Sequence, residues 1–120
     1  MIVNSGGDNI APTKVEAEYG IEPEIAQIMV WGDKRPHLVA VIVPADELAA
    51  LDKAEQTAKI AAAIRRAGPR LSGYERVRHF LIADEAFSVE NSQMTPTLKV
   101  RRHVVSQVYE DRLAGLYRTP

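Results

Sequence analysis

Three cations lie close together near the end of the chain, at Lys99, Arg101 and Arg102. Just before them, Thr95 or Thr97 can cap a helix, and the proline between them suits a first helical turn. Cations are disfavoured at that end of a helix by about 0.3–1 kcal/mol each, because the helix dipole is positive there. Free N–H groups and several cations at one helix start suit a bound phosphate or carboxylate. The pattern therefore predicts an anion site with contacts from Thr97, Lys99, Arg101 and Arg102.

On charge alone, a solvated basic face beside a core helix is the better interpretation, since most charge runs are solvated. A second stretch near the start of the chain changes this balance: Asn4-Ser5-Gly6-Gly7-Asp8-Asn9-Ile10-Ala11-Pro12, followed by Glu16. Paired glycines let the backbone turn sharply and let a ligand approach it closely. By itself, such a pair usually marks only a hairpin turn.

Taken together, the two stretches resemble the C-terminal domain of AMP-forming acyl-CoA synthetases, in the adenylate-forming superfamily that includes luciferase and peptide-synthetase adenylation domains. The stretch from Ser5 to Glu16 resembles that family's hairpin motif. Thr95-Pro96-Thr97-Leu98-Lys99 resembles its last motif, which carries the catalytic lysine. The intervening Val30-Trp31-Gly32-Asp33-Lys34-Arg35-Pro36-His37-Leu38-Val39-Ala40 resembles a strand–turn–strand of the long-chain fatty acid–CoA ligase branch. The three motifs follow the family's order, and the resemblance covers essentially the whole chain.

The resemblance implies a reaction in two steps. A fatty acid attacks the α-phosphate of ATP to give acyl-AMP and pyrophosphate, and the thiol of CoA then takes the acyl group and releases AMP. Lys99 is implied as the catalytic residue of the first step, where its charge offsets repulsion between carboxylate and phosphate. In the second step the domain rotates, so that Ser5, Gly6 and Gly7 face the pantetheine arm of CoA. Glu16 is expected to be structural.

The same resemblance implies partners outside this chain. ATP and Mg²⁺ bind mainly to a larger N-terminal adenylation domain, which the 120 residues do not include. The hairpin motif stands at the very start of the chain, which indicates a single mobile C-terminal domain, residues 1–120, cut at or just after its hinge, with Met1 as an added or substituted start. Such a domain is expected to fold but to be inactive alone. Leu98 replaces the glycine usual in the superfamily and fits the long-chain branch.

Composition narrows the remaining classes of function. A chain that is 46% apolar and 26% charged forms an ordinary globular core. A net charge of −1 and few aromatic residues argue against a nucleic-acid partner. There is no cysteine, and His37, His79 and His103 lack metal-ligand spacing, so no metal site is expected. Without a signal peptide or an apolar run of ~20 residues, we expect a cytoplasmic enzyme, with peripheral membrane contact through a basic helix as the weaker alternative.

The expected fold class is α+β, a small, mostly antiparallel sheet with an N-terminal hairpin and helices packed on it. Strands are predicted over residues 25–31, 38–43 and 75–83, and the second is central because it is continuously apolar. Helices are predicted over 14–19, from Asp46, over 56–67, and from Thr95 or Thr97 to near Tyr117. The last helix should bury one face, formed by Val100, Val104, Val105, Val108, Leu113, Leu116 and Tyr117.

Two other interpretations stay open from the sequence. A free-standing module that binds a phosphorylated ligand at the Lys99 cluster would need no partner domain. The C-terminal part of a carrier-protein-directed adenylation enzyme would pass the acyl group to a phosphopantetheinyl carrier instead of CoA. Activity assays with CoA and with such a carrier separate this last interpretation from a CoA ligase.

Overall fold

The computed structural model describes residues 1–118 of the chain. Within these residues, strands and helices follow one another in this order: β1 (Ile2–Val3), β2 (Asn9–Ile10), α1 (Pro12–Tyr19), β3 (Ile25–Trp31), β4 (Leu38–Pro44), α2 (Lys53–Ala67), β5 (Val77–Ile82) and α3 (Arg102–Gly115). Single 3₁₀ turns lie at Asp46–Leu48, Gly68–Arg70, Gly73–Glu75 and Leu116–Arg118.

The main sheet has three strands in the order β3-β4-β5. β4 is antiparallel to β3 and parallel to β5, while β1 and β2 form a separate antiparallel hairpin. β4 and β5 are parallel because the segment with α2 leads the chain back to the end of the sheet at which β4 begins. The predicted α+β class, with an N-terminal hairpin and helices packed on a small sheet, is thereby confirmed; two of the three strand pairs are antiparallel, and the main sheet itself is mixed.

The central strand β4 divides the core into two layers. Leu38, Ala40 and Ile42 face the layer that also holds the buried side chains of α1 and α2. Val39, Val41 and Val43 face the other layer, with Val105, Tyr109 and Leu113 of α3 and the loop residue Phe87. A strand covered on both faces has no polar side to alternate with, which explains its continuous apolar sequence.

The predicted start of the last helix is wrong. α3 begins at Arg102, and neither Thr95 nor Thr97 caps it. The threonine–proline sequence instead forms a turn, which is closed by an isolated bridge between Met94 and Val100. Proline suits the second position of such a turn as well as it suits a helix start, so the local sequence signal is the same for both.

The predicted apolar face of the last helix is also partly wrong. Val108 is 55% exposed, whereas Tyr109 is almost completely buried. The buried stripe of α3 runs through Val105, Tyr109 and Leu113, each four residues after the last. This spacing keeps the side chains on one side of a straight helix, and Val108 lies beside that stripe.

The segment between β4 and β5 also differs from expectation. The helix predicted from Asp46 is only a 3₁₀ turn, and Ala45 occupies its N-cap position. α2 begins at Lys53 rather than Gln56. Its cap is Asp52, whose carboxylate accepts a hydrogen bond of 2.8 Å from the Glu55 N–H. An aspartate at this position satisfies an N–H that the helix itself leaves unpaired.

The basic side of α2 is paired with acidic residues around the end of α1. Arg66 forms ion pairs with Glu22 and Glu24, and Arg70 pairs with Glu18 and Glu22. Hydrogen bonds from Arg70 and then Arg66 hold the pKa of the Glu22 carboxyl below its ordinary value. Arg66 and Arg70, two cations of the basic helix for which the sequence suggested membrane contact, thus have partners within the domain. None of the helices within residues 1–118 is long and apolar enough to cross a bilayer.

We expect Glu22→Gln to lower the melting temperature at pH 7 by several degrees and to reduce its loss in acid. Because the folded state lowers the pKa of Glu22 from 4.5, its ion pairs stabilise the fold above that pH. This stabilisation is lost as the pH falls through the folded pKa. Thermal unfolding between neutral and strongly acidic pH measures it. Glu110→Gln, on an exposed part of α3, is the control and should follow the wild type. Equal acid sensitivity of Glu22→Gln and wild type would contradict the expectation.

Candidate functional site

The residues that resemble the lysine motif form a tight turn, Thr95–Lys99. The Thr95 carbonyl accepts from the Leu98 N–H at 2.8 Å, and the Thr95 N–H donates to the Lys99 carbonyl at 2.8 Å. The Thr95 hydroxyl accepts a further hydrogen bond of 3.1 Å from the Lys99 N–H. Pro96 occupies the second position, where its fixed φ suits a type I turn. The turn is therefore held by its own backbone and by one threonine.

Lys99 is exposed at the end of this turn. Within residues 1–118, no hydrogen bond or ion pair engages its ammonium group. The preceding Leu98 has a φ of 63° and is 71% exposed. A left-handed backbone costs a residue with a side chain roughly 1–2 kcal/mol. The turn thus presents a lysine that is free to meet an anion, next to an apolar side chain held in a strained conformation.

Arg102 belongs to a different part of the site than the sequence predicted. Its two terminal nitrogens donate to Glu16, at 2.6 and 2.8 Å, and one of them also lies 3.3 Å from the Val30 carbonyl. Arg101 instead contacts the Ser92 carbonyl, at 3.3 Å. The ion pair with Glu16 argues against Arg102 as a contact of a bound anion, because Glu16 already neutralises the charge of Arg102. Lys99 remains the principal cation of the predicted anion site.

Glu16 joins three elements of the structure. Besides its two bonds from Arg102, its carboxylate accepts a hydrogen bond of 2.8 Å from the Val30 N–H. Its side chain is only 15% exposed. The bonds connect α1, which follows the glycine hairpin, with the end of β3 and the start of α3. The predicted structural role of Glu16 is confirmed, and its partner Arg102 is a residue that sequence reasoning had assigned elsewhere.

The glycine hairpin forms the second candidate region. Gly7 has a φ of 88° and donates its N–H to the Asn4 carbonyl at 3.0 Å. The Asn4 side chain accepts from the Asp8 N–H at 2.8 Å and so closes the other side of the turn. A β-carbon added at Gly7 would meet no atom within 4 Å. Glycine is required here by the backbone conformation, and the space in front of it is open.

The turn between β3 and β4 supports this hairpin. The Ser5 N–H donates to the Arg35 carbonyl at 2.9 Å, and the Val3 N–H donates to the Asp33 carboxylate at 3.0 Å. The Arg35 guanidinium lies over the rings of Trp31 and Tyr117, 5.2 and 5.0 Å from their centres. Burial raises the pKa of Tyr117 to about 12, so its hydroxyl stays a donor at neutral pH. Residues 33–35, in the turn between β3 and β4, therefore hold the glycine hairpin in position.

Gln27 fixes the loop that leads to the lysine turn. Its amide accepts from the Phe87 N–H at 2.8 Å and donates to the Phe87 carbonyl at 3.1 Å. The same amide nitrogen lies 3.2 Å from the sulfur of Met94. Phe87 is buried under the sheet and anchors the loop. Gln27 itself gave no signal, because a single glutamine in a strand is unremarkable until its partners are known.

Comparisons with known proteins lead to the same family that the motifs resemble. The family model of the AMP-binding enzyme C-terminal domain matches residues 1–120. The chain is 29% identical to the long-chain-fatty-acid–CoA ligase FadD15 of Mycobacterium tuberculosis, over 98% of the chain and 22% of that protein. It is 35% identical to a carboxylic acid reductase of Segniliparus rugosus, over 94% of the chain and 10% of that protein.

Among solved structures, the A-PCP didomain of carboxylic acid reductase from Segniliparus rugosus, in complex with AMP, matches with a TM-score of 0.86. The sequence identity is 33%, and the match covers 97% of this chain and 17% of that one. The chain therefore spans less than a quarter of the length of each of these relatives.

We expect Glu16 and Arg102 to be coupled in the free energy of unfolding. Glu16→Gln keeps an acceptor for the Val30 N–H but removes the charge that faces Arg102. Leaving a charged donor without its partner should cost roughly 1–3 kcal/mol. Urea unfolding of Glu16→Gln, Arg102→Met and the double variant gives the coupling, which should be about 1 kcal/mol or more.

The ion pair of Asp84 with Arg112 is the matched control for this experiment. It has the same two-bond geometry, at 3.1 and 2.7 Å, but its side chains are 63% and 49% exposed. Exposed pairs contribute about 0–1 kcal/mol, because water screens them. Equal coupling in both pairs would show that the position of Glu16 gives it no special weight.

Proposed function

The chain belongs to the AMP-binding enzyme C-terminal domain family, and on that premise we propose that it is the mobile C-terminal domain of a long-chain fatty acid–CoA ligase. It acts with a larger N-terminal adenylation domain that binds the fatty acid and ATP. The observation that carries this proposal is Lys99, which is exposed, has no side-chain partner among residues 1–118, and stands on a turn that its own backbone bonds define.

In the first step, a carboxylate oxygen of the fatty acid attacks the α-phosphorus of ATP, and pyrophosphate leaves. Two anions must approach each other, and their repulsion is largest in a site from which water is excluded. The ammonium of Lys99 lies between them and stabilises the charge that develops in the transition state. Because Lys99 stands on a fixed turn, little reorganisation is needed when the turn enters the site.

Magnesium ions enter this reaction with ATP. Residues 1–118 contain no group of three or more acidic or histidine side chains that could hold a metal ion. Mg²⁺ commonly uses substrate phosphates and one or two carboxylates as ligands, so the larger domain and ATP together suffice for it. The contribution of this chain to the first step is then the charge and the position of Lys99.

In the second step, the sulfur of CoA attacks the acyl carbon, and AMP leaves. We propose that the domain rotates between the steps, so that the Lys99 turn withdraws and the glycine hairpin faces the site. The open space in front of Gly7 suits the narrow pantetheine arm. Ser5 and Gly6 form the adjoining backbone of the same turn, which the 33–35 turn holds in place.

The Glu16–Arg102 contact supports such a rotation. It joins the helix after the hairpin to the helix after the lysine turn. The two functional turns are therefore parts of one rigid unit, and a rotation that brings one of them to the site removes the other. This is the mechanical requirement of an enzyme that uses two faces of one domain in succession.

A second candidate is an enzyme that transfers the acyl group to a phosphopantetheinyl carrier. It is favoured by the 35% identity to a carboxylic acid reductase and by the match to a didomain that includes a carrier. Both acceptors present the same pantetheine thiol, so the chemistry at Gly7 is common to both. Single-turnover assays of acyl-AMP with CoA and with a pantetheinylated carrier decide between them, since the natural acceptor should react much faster.

We expect Lys99→Ala to slow acyl-AMP formation by ~10²–10³-fold in the full-length enzyme, because a preorganised charge is lost from the transition state. Fatty-acid-dependent exchange between ATP and pyrophosphate measures this step. Thioester formation from supplied acyl-AMP should change little, since Lys99 is then withdrawn. The isolated 120-residue chain is the negative control and should show no exchange. Equal loss in both steps would contradict the assignment of Lys99.

We expect Gly7→Leu to have the opposite effect, slowing thioester formation while adenylation continues. A leucine side chain would fill the open space that the pantetheine arm needs. The backbone φ of 88° at position 7 would also strain a residue that has a side chain. Gly73→Leu is the matched control, because an added β-carbon at the exposed Gly73 also meets no atom within 4 Å, and Gly73 has no left-handed φ. An unchanged exchange rate shows that the variant is folded. Wild-type thioester formation by Gly7→Leu would remove the hairpin from the acceptor path.

A further inference from the structure

Leu98 occupies a backbone position that favours glycine. The hydrogen bond from the Leu98 N–H to the Thr95 carbonyl makes it the fourth residue of a type I turn, and its φ is 63°. Glycine is the preferred residue at that position of a type I turn, because it has no side chain to conflict with a left-handed backbone. A leucine here therefore makes the turn less stable than a glycine would.

Within residues 1–118, no contact of the Leu98 side chain compensates for the lower stability of the turn. The Leu98 side chain is 71% exposed, so it gains little from burial. The turn is held by the backbone of Thr95 and Lys99 and by the Thr95 hydroxyl, none of which requires a side chain at Leu98. Within residues 1–118, the other residues with side chains and a positive φ are Lys34 and Ser92, both polar and suited to water. Among the residues that the structure describes, only Leu98 combines a left-handed backbone with an exposed apolar side chain.

We propose that Leu98 is a docking residue for the adenylation step. Its side chain enters an apolar recess on the larger adenylation domain when the turn carries Lys99 to the acyl-phosphate. This inference rests on the proposed function of Lys99. Because the two residues are adjacent, the recess borders the anion that Lys99 meets. The aligned segment covers 22% or less of the relatives described above, so their remaining length can supply such a surface.

The apolar contact would serve the reaction in two ways. Burial of Leu98 favours the arrangement in which the lysine turn is docked on the adenylation domain. It thereby anchors the residue next to Lys99, so the flexible lysine side chain starts from a fixed backbone position. It also removes water from beside the ammonium, and the charge of Lys99 then acts more strongly on the developing negative charge. Leu98 is in this sense a positioning residue, and Lys99 remains the catalytic one.

The test uses the full-length enzyme with Leu98→Gly, Leu98→Asn and Leu98→Met. Glycine and asparagine both accept the left-handed backbone, but neither can make the apolar contact, whereas methionine retains it. The glycine and asparagine variants should lose about tenfold in the rate of ATP–pyrophosphate exchange, the effect of one lost apolar side-chain contact. Methionine should keep most of the rate. Thioester formation from supplied acyl-AMP should be unchanged in all three variants.

Melting temperatures of the variants complete the experiment, because loss of a leucine with a merely structural role would lower the melting temperature. The glycine variant should melt at or above the wild-type temperature, since it relieves strain and loses little burial. Exchange at the wild-type rate in both the glycine and asparagine variants would overturn the docking role. If both of these variants exchange at the wild-type rate while Lys99→Ala is still slowed by ~10²–10³-fold, the proposed function stands and only the role of Leu98 is rejected. Absence of acyl-AMP formation by the wild type would instead reject both.

Discussion

The carboxylate of Glu16 is the contact on which the arrangement of this domain depends. A charge that is mostly removed from water is costly unless it is fully hydrogen-bonded. Glu16 meets this condition with bonds from the Arg102 guanidinium and from the Val30 N–H. These donors belong to α3 and β3, while Glu16 itself belongs to α1. The requirement to satisfy one carboxylate therefore determines how the first and last functional segments lie relative to the sheet.

Around this contact, the domain combines a packed interior with the two small turns to which we assign the chemistry. β4 is buried on both faces, with α1 and α2 on one side and α3 on the other. The turns at Gly7 and Leu98 both use left-handed backbone and both project from elements that this interior fixes. Tight, hydrogen-bonded turns on a packed framework can present a reactive group with less freedom than long loops allow. The hydrogen bonds between Gln27 and the Phe87 backbone likewise fix the loop that precedes Lys99.

Much of this could be predicted from the sequence, where the signal is local. β3 and β4 follow from their apolar runs and from the residues that end them, and the glycine hairpin follows from its paired glycines. The cation cluster marks Lys99 as an anion contact, but its catalytic role is predicted only through resemblance to a family. The start of α3 could not be predicted, because threonine and proline serve a turn and a helix start equally well. The pairing of Glu16 with Arg102 is invisible for another reason: the residues are 86 positions apart, and many carboxylates could have met that arginine.

That separation has a consequence for how the domain is made. During synthesis, Glu16 emerges long before Arg102, and 86 residues take on the order of ten seconds to add. Until then the carboxylate remains hydrated, and α1 has no permanent contact with the segment that will carry the lysine. Contacts between such distant positions also form late in folding, because closing a long loop precedes any gain from the contact. The glycine hairpin and the lysine turn therefore reach their final positions relative to each other only after α3 has been made.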